Sequence, residues 1–476
     1  MATSHSEGVM MHKVFGVIVT AVVLSTAHDS QTADARLAMT VVTNADRGSL
    51  ADERSIIDVS ALLTAARGAP PVICALAAQS LRGWGWGDGG DAPVTPLAMT
   101  VSLRDYEGRS TSLPAADVEL LLSSLSSDDP CVREIAIRVL GRRGTPAVNA
   151  GLVSRLSSSS PSVREIAAVG LGLAEAEGAV DPLVRALRDQ AASVRANAAW
   201  ALGRMEARTA LNPLMDLFRD NSETVRQAAV TAVGRLELPG AAATLIRVVR
   251  QDDSPVVRRA AAWALGNLEA REGVNALSGA LAQDADARVR EMAAWALGNI
   301  ESRSAANALL AAARRDADDK VRETAVWALG QIEESSAAEA LGQIAVSDRS
   351  SRVRGTAAWA IGQMSDEGGH APAGLVQLLR DEDQDTRLKA AWALGQIGDP
   401  GSVPAIRTAL KSERNEQVTK ALIRALMKSG EKSEAALTEL LESKDPQVRE
   451  AAVRGLAGRS SFNPWPWPWP RPRPFI

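Results

Sequence analysis

Apolar residues recur along this chain at helical spacing, and the helices themselves recur. In Val289–Ile300, VREMAAWALGNI, a wheel of about 100° per residue places Ala293, Ala296, Leu297 and Ile300 close to Val289. They form the single apolar stripe of a helix packed on neighbours. Glu291, Trp295 and Asn299 share the opposite face. Related stretches begin at Val132-Arg133, Val163-Arg164, Val194-Arg195, Val225-Arg226, Val257-Arg258, Val321-Arg322 and Val353-Arg354, and continue at Thr386-Arg387, Val418-Thr419 and Val448-Arg449. The steps run from 30 to 33 residues. A fixed period in this range predicts a solenoid.

A second apolar helix precedes each of these, as in Val274–Ala282, Ala305–Ala313 and Val403–Leu410. One such pair has too little core to stand alone, so neighbouring pairs must bury each other's faces. Three positions of the unit stand out. Glycine follows the last leucine or its equivalent, at Gly203, Gly234, Gly266, Gly298, Gly330, Gly362 and Gly395. Glycine inside a helix costs about 1 kcal/mol against alanine, which predicts a close approach by a neighbouring helix. Tryptophan recurs as Trp200, Trp263, Trp295, Trp327, Trp359 and Trp392, and an amide recurs four residues on as Asn267, Asn299, Gln331, Gln363 and Gln396. Finally, Asp189, Asp220, Asp252, Asp284, Asp316, Asp348 and Asp381 each stand six residues before Arg195, Arg226, Arg258, Arg290, Arg322, Arg354 and Arg387. An Asp in such a turn can cap backbone N–H groups or take a bidentate bond from a neighbouring Arg, which predicts a structural Asp–Arg ladder.

The pattern V-R-x-x-A-A-x-A-L-G-x-I after an acidic turn resembles HEAT repeats, and more narrowly the short repeats of the phycobilisome-lyase-like family. The resemblance covers residues 113–458 in eleven units. It implies an all-α, right-handed α-solenoid of about 11 helix pairs whose second helices line the concave surface. Trp and amide side chains would then form a ladder along that surface. The resemblance says little about function, because the fold hosts binding scaffolds and a few enzymes alike.

Outside the array, Lys13, the apolar run Val14–Leu24 and Ser25-Thr26-Ala27 read as a secretory signal over residues 1–27, which predicts a periplasmic or extracellular protein. The run is too short to span a bilayer. Residues 28–112 form an N-terminal segment, within which 58–83 is a degenerate first repeat with Cys74 where the Arg would stand. LAMTV occurs at Leu37–Val41 and again at Leu97–Val101, short enough and β-favouring enough to predict paired strands. Gly83–Asp91, GWGWGDGGD, lacks a strand-then-helix frame and reads as a flexible loop. The two cysteines, Cys74 and Cys131, can pair in an exported chain or sit as separate buried thiols; small-residue positions favour the thiols. The last units drift: Arg424 and Arg454 replace Trp, as capping repeats with polar faces require. Residues 459–476 contain NPWPWPWPRPRPFI, where alternating Pro forbids helix and favours polyproline II. This tail reads either as a low-complexity appendage or as a linear motif for a groove on a partner or another copy of this protein.

Composition narrows the chemistry. With 53 basic and 57 acidic residues, net charge is −4, so no basic excess points to nucleic acid. Eleven Trp stand against the single Tyr106, and nine of them lie on the ladder or in the tail. The four histidines, His5, His12, His28 and His370, have no convergent partners for a triad or a metal, so neither catalytic residues nor a cofactor is expected. HEAT-type deoxyhypusine hydroxylases carry His-Glu pairs, and this chain has no such dipeptide. HEAT-type DNA glycosylases need a basic concave face, whereas here Trp, amides and mixed charge are expected. The reading is an exported scaffold that holds a protein or peptide, or a glycan, on its Trp-lined face. A lyase-like enzyme or enzyme subunit related to HEAT-type bilin lyases is the alternative, and a purely architectural envelope spacer a third.

Overall fold

A computed structural model describes residues 58–70, 74, 113–141, 144–364 and 369–429, together with 438, 441, 442, 446, 449, 450 and 453. The signal, both LAMTV stretches, the Gly-rich loop and the Trp/Pro tail lie outside these residues. Among the described residues there are 21 α-helices and no strand. From Ala115 to Lys428 they form ten successive pairs, each first helix opening at a short 3-10 turn or a proline. The pairs stack into an α-solenoid with one continuous core of Ala, Val, Leu and Ile.

The unit is built by local chemistry. A polar residue three positions before the Val or its equivalent caps several of the second helices. Asp286 accepts from the Arg288 and Val289 N–H groups at 2.8 and 3.3 Å; Ser254, Asp318, Asp383 and Asn415 do the same elsewhere. The other end folds over through a left-handed residue. In six units that residue is Glu, at φ 47–51°: Glu175, Glu206, Glu237, Glu269, Glu301 and Glu333. In a later unit it is Gly398, at φ 68°.

The recurrent glycine is where consecutive units touch. A Cβ placed on Gly298 would lie 2.8 Å from Cζ3 of Trp327, 2.9 Å from Cβ of Ala328 and 3.0 Å from its Cα. The same socket receives Trp263, Trp295, Trp359 and Trp392 at Gly234, Gly266, Gly330 and Gly362, with 2.6–2.9 Å to Cζ3. An earlier glycine, Gly172, receives Trp200 at 2.6 Å. At Gly203 the next unit has Thr231, and the Ala232 backbone itself closes to 2.6 Å. First helices meet their neighbours more sparsely than these second helices do.

At the N-terminal end the helix α1, Val59–Ala66, joins the stack through a disulfide between Cys74 and Cys131, Cα atoms 5.7 Å apart. This corrects the reading of two separate thiols. Cys74 stands at the Arg position of the first unit and reaches forward to the next, as the Arg of later units does. Asp129 reinforces the junction, accepting from the Gly68 N–H at 2.7 Å and the Cys131 N–H at 2.8 Å. The Gly68 bond, more than the Cys131 and Val132 N–H groups, holds the Asp129 carboxyl below its ordinary value.

The glycine sockets lead to a paired prediction. Gly298→Ala forces a methyl into occupied space and should lose about 1–3 kcal/mol. Gly279→Ala, where nothing lies within 4 Å, should instead gain about 0.5–1 kcal/mol by relieving backbone entropy. Opposite shifts of the thermal midpoint, measured by scanning calorimetry, are the expected result.

Candidate functional site

Two rows of repeated side chains run along the stack, and they do different things. The first is the Asp–Arg ladder. Arg322 donates Nε and Nη2 to the two carboxylate oxygens of Asp348 at 2.7 and 2.9 Å, and Nη1 to the carbonyl of Asp316 at 3.0 Å. Each Arg therefore holds the carboxylate of the next unit and the backbone of its own turn. Arg195, Arg226, Arg258, Arg290 and Arg354 repeat this on Asp220, Asp252, Asp284, Asp316 and Asp381. The series starts earlier than the sequence pattern indicated, with Arg164 on Asp189, and ends with Arg387 on Glu413. The same carboxylate oxygen accepts a turn N–H, as when Asp348 takes that of Ser350 at 2.8 Å. Side chains of Arg322 and Asp348 keep only 6% and 8% of their surface exposed.

With Nε, Nη1 and Nη2 of each guanidinium bonded within the stack, the ladder is committed to holding unit on unit. A shallow cleft of about 400 Å³ beside it, between Ala313 and Ile344, is lined by Arg314, Arg349 and the ladder pair Arg322–Asp348. The electrostatics follow. Burial pushes the Asp348 carboxyl up, but the bonds from Arg322 and the Ser350 N–H outweigh it and leave the group below its ordinary value. Asp189, bonded by Arg164, is likewise lowered.

The second row runs along the second helices. Trp200, Trp263, Trp295, Trp359 and Trp392 are half-buried, with the ring edge pressed on the preceding glycine, and Trp327 is buried, 3% exposed. The helical wheel places these rings almost opposite the apolar stripe. The close stacking of second helices covers most of each ring instead, leaving part of five rings open and Trp327 covered. Asn267, Asn299 and Gln331 are half-buried, whereas Gln363 and Gln396 are exposed. Asn267 donates Nδ2 back to the Gly234 carbonyl at 3.3 Å and, more weakly, to Glu237 Oε1 at 3.5 Å. Arg204, at the same position two units earlier, donates to the Gly172 carbonyl at 3.1 Å and to Glu175 at 3.0 Å. Beside the Trp row stand Glu165, Glu291 and Glu323, whose carboxyls burial raises above the ordinary value. Lys320 opposes that rise at Glu291, and Arg352 and Lys389 oppose it at Glu323, so this strip is charge-balanced.

The left-handed Glu residues are the feature that periodicity did not single out. Glu175, Glu206, Glu237, Glu269, Glu301 and Glu333 are all exposed and stand just beyond the C-terminal ends of the second helices. Their signal was present in the sequence: a Glu three residues after the recurrent Gly, at the place where Gly398 stands in a later unit. Among the described residues no group of His, Cys, Asp and Glu could hold a metal ion, and no helix is long and apolar enough to cross a membrane.

With this geometry in place, comparison with known proteins is decisive for family. The profile described as HEAT repeats matches residues 118–194, 180–266, 242–322, 306–370 and 372–457. The chain belongs to the HEAT-repeat family. No curated protein matches it. Among solved structures, this HEAT solenoid is similar to importin beta, with 15% identity, TM-score 0.51, and 72% of this chain covering 58% of that one. It is also similar to a structure described as Kap95p binding that induces the switch loops of RanGDP, with 15% identity, TM-score 0.52, and 93% of this chain covering 66% of that one. A weaker likeness is to the complex of CpcE and CpcF of phycocyanin lyase from Nostoc sp. PCC7120: 23% identity, TM-score 0.32, with 52% and 93% covered. At these identities the likenesses report the fold.

The ladder sets the acid limit of this HEAT array. Carboxyls at Asp189, Asp220, Asp284, Asp316, Asp348, Asp381 and Glu413 are lowered in the fold. Their contribution is complete above an unfolded-state value of about 4 and is lost as pH falls through the lower folded values. Glu165, Glu291 and Glu323, raised in the fold, act oppositely and favour the fold as they protonate. The thermal midpoint should therefore hold or rise slightly from pH 7 to about 5 and fall steeply below about 4. Asp348→Asn, which strands the buried Arg322, should cost about 3 kcal/mol at neutral pH and make the acid limb shallower.

Proposed function

We propose that this HEAT solenoid is an exported binding scaffold, without catalysis of its own, that holds a protein or other extended partner on its inner Trp–amide face. One observation carries the reading: partly exposed indoles, interrupted by the buried Trp327, stand with amides in register along consecutive second helices, and Gln363 and Gln396 are exposed among them. Aromatic edges supply contact area at small entropic cost, and amides supply directional hydrogen bonds, the mixture that binding surfaces use. The repeat lets many weak contacts add along an extended partner. Two features support export. The leader-like residues 1–27 precede the array, and Cys74–Cys131 is a bond that oxidising compartments sustain. Glycans share the aromatic-stacking chemistry and stand as a second ligand class for the same face.

The test keeps the Trp–Gly packing intact. The mature chain is used as bait on its own envelope fraction, beside Gln363→Arg with Gln396→Arg on the inner face and Glu339→Arg on the exposed first-helix surface. Captured partner should drop on the order of tenfold for the inner variant, the loss of one or two interface contacts, and stay level for the outer one. Equal recovery from all three folded proteins would remove the inner face from the function.

A further inference from the structure

The second helices carry two charged columns beside the Trp row, and at one junction the columns do not match. One column stands a residue before the recurrent Val: Arg288, Lys320 and Arg352, all exposed. The other stands two residues after it: Arg259, Glu291 and Glu323, all half-buried. Stacking sets the second column of each unit against the first column of the next. Gly266 sits on Ala296 of the following helix, and the same register carries Glu291 to Lys320 and Glu323 to Arg352. Arg352 comes within 3.7 Å of Glu323 and 3.0 Å of Asp319. At the junction before these, the register puts Arg259 against Arg288, cation on cation.

Neither of these two guanidiniums has a hydrogen bond or ion pair among the described residues. Nε of Arg259 is buried without a partner, which leaves the Nη end of this half-buried side chain as the part a ligand can meet. Burial first, and Arg288 next, hold the Arg259 guanidinium below its ordinary value. Asp286 and Glu291 act the other way. Both acids have other duties: Asp286 accepts the Arg288 and Val289 N–H groups as a helix cap, and Glu291 faces Lys320. Arg288 also stands in the first turn of its helix, Ala287–Asn299, where the dipole favours an anion over a cation. Local rules broken without a compensating contact mark functional positions.

What this junction lacks is a negative charge in reach of both arginines. A carboxylate supplies it, since it can accept two parallel bonds from the Nη end of a guanidinium. The indoles lie on the same face: Trp263 is four residues after Arg259 and Trp295 seven after Arg288, and both rings are half-buried. An extended peptide there meets cations and apolar ring surface at one junction. The exposed acids Glu269 and Glu301 stand at the other helix ends, about 15 Å or more away, beyond a screening length of about 8–10 Å.

We propose that Arg259 and Arg288 form a seat for an aspartate or glutamate side chain of an extended protein partner, with Trp263 and Trp295 covering the residues beside it. This rests on the second-helix face being the binding surface, and it gives the partner a chemistry: the segment lying there is acidic.

The experiment titrates the mature chain with poly-L-glutamate by calorimetry and follows the thermal midpoint. Binding to the wild type is expected, weakening as salt rises. Arg259→Gln with Arg288→Gln should weaken it about tenfold or more. Arg314→Gln with Arg349→Gln, an exposed pair beside the ladder, should leave it level. Without poly-L-glutamate, the Arg259/Arg288 variant should melt at or above the wild-type midpoint, because a like-charged pair is relieved. A midpoint several degrees lower would make the two arginines part of the packing and overturn the proposal. No binding to the wild type, or equal loss in both variants, would overturn it as well. Polygalacturonate binding in place of poly-L-glutamate, with the same dependence on Arg259 and Arg288, would give the seat to an acidic glycan and overturn the protein partner. If poly-L-glutamate fails but Gln363→Arg with Gln396→Arg still lowers capture, the binding face stands without an acidic partner. If poly-L-glutamate needs Arg259 and Arg288 but capture ignores the amide substitutions, the seat stands and the amide row is not part of the partner site.

Discussion

The second helices of this solenoid meet at glycines, and at six of those junctions an indole edge is seated on the glycine. The Cζ3 edges of Trp200, Trp263, Trp295, Trp327, Trp359 and Trp392 occupy the space that a methyl on the preceding unit's glycine would fill. Missing side chains let the second helices approach closely, and the ring that fills each gap fixes how far. Where the following unit carries Arg424 instead of Trp, the socket at Gly395 is wider, with nothing nearer than 3.4 Å. The Trp row therefore packs unit against unit before it does anything else. What a partner could touch is the part of each ring that this duty leaves uncovered.

The opposite side of each junction is held by charge. An Arg fork on the next unit's Asp, with its third donor on its own turn, links unit to unit from Arg164 to Glu413. At the first junction the tie is covalent, Cys74 taking the place of the arginine. A loop of 57 residues closed in this way is expected to stabilise the N-terminal unit by about 4 kcal/mol. That unit has few neighbours to bury it, so a covalent tie there does what packing does in the middle of the array.

Much of this was legible in the sequence because repetition amplifies it. One VREMAAWALGNI is an ambiguous helix; the series fixes the period, the two helices per unit, the Gly contact and the Asp–Arg pairs. Geometry that spans units was harder to read. A wheel drawn on one helix puts Trp295 opposite the apolar stripe and says nothing of the Gly266 socket that covers part of its ring. Likewise the six-residue Asp-to-Arg spacing hides that each Arg bonds forward to the Asp about 26 residues later. The disulfide escaped because thiol pairing depends on how two units stack. The left-handed Glu row escaped because the fold-over is recognised by glycine, and here an acid occupies it.

The scaffold reading and the packing analysis meet at one contact, the ring on the glycine. The most direct test is a double-mutant cycle between Gly298→Ala and Trp327→Ala, followed by reversible thermal or denaturant unfolding. If the indole fills the glycine's space, removing the ring should relieve much of the clash, and the two changes should couple by about 1 kcal/mol or more. Additivity within about 0.5 kcal/mol would contradict that, leaving the glycine and the indole as independent features of the stack.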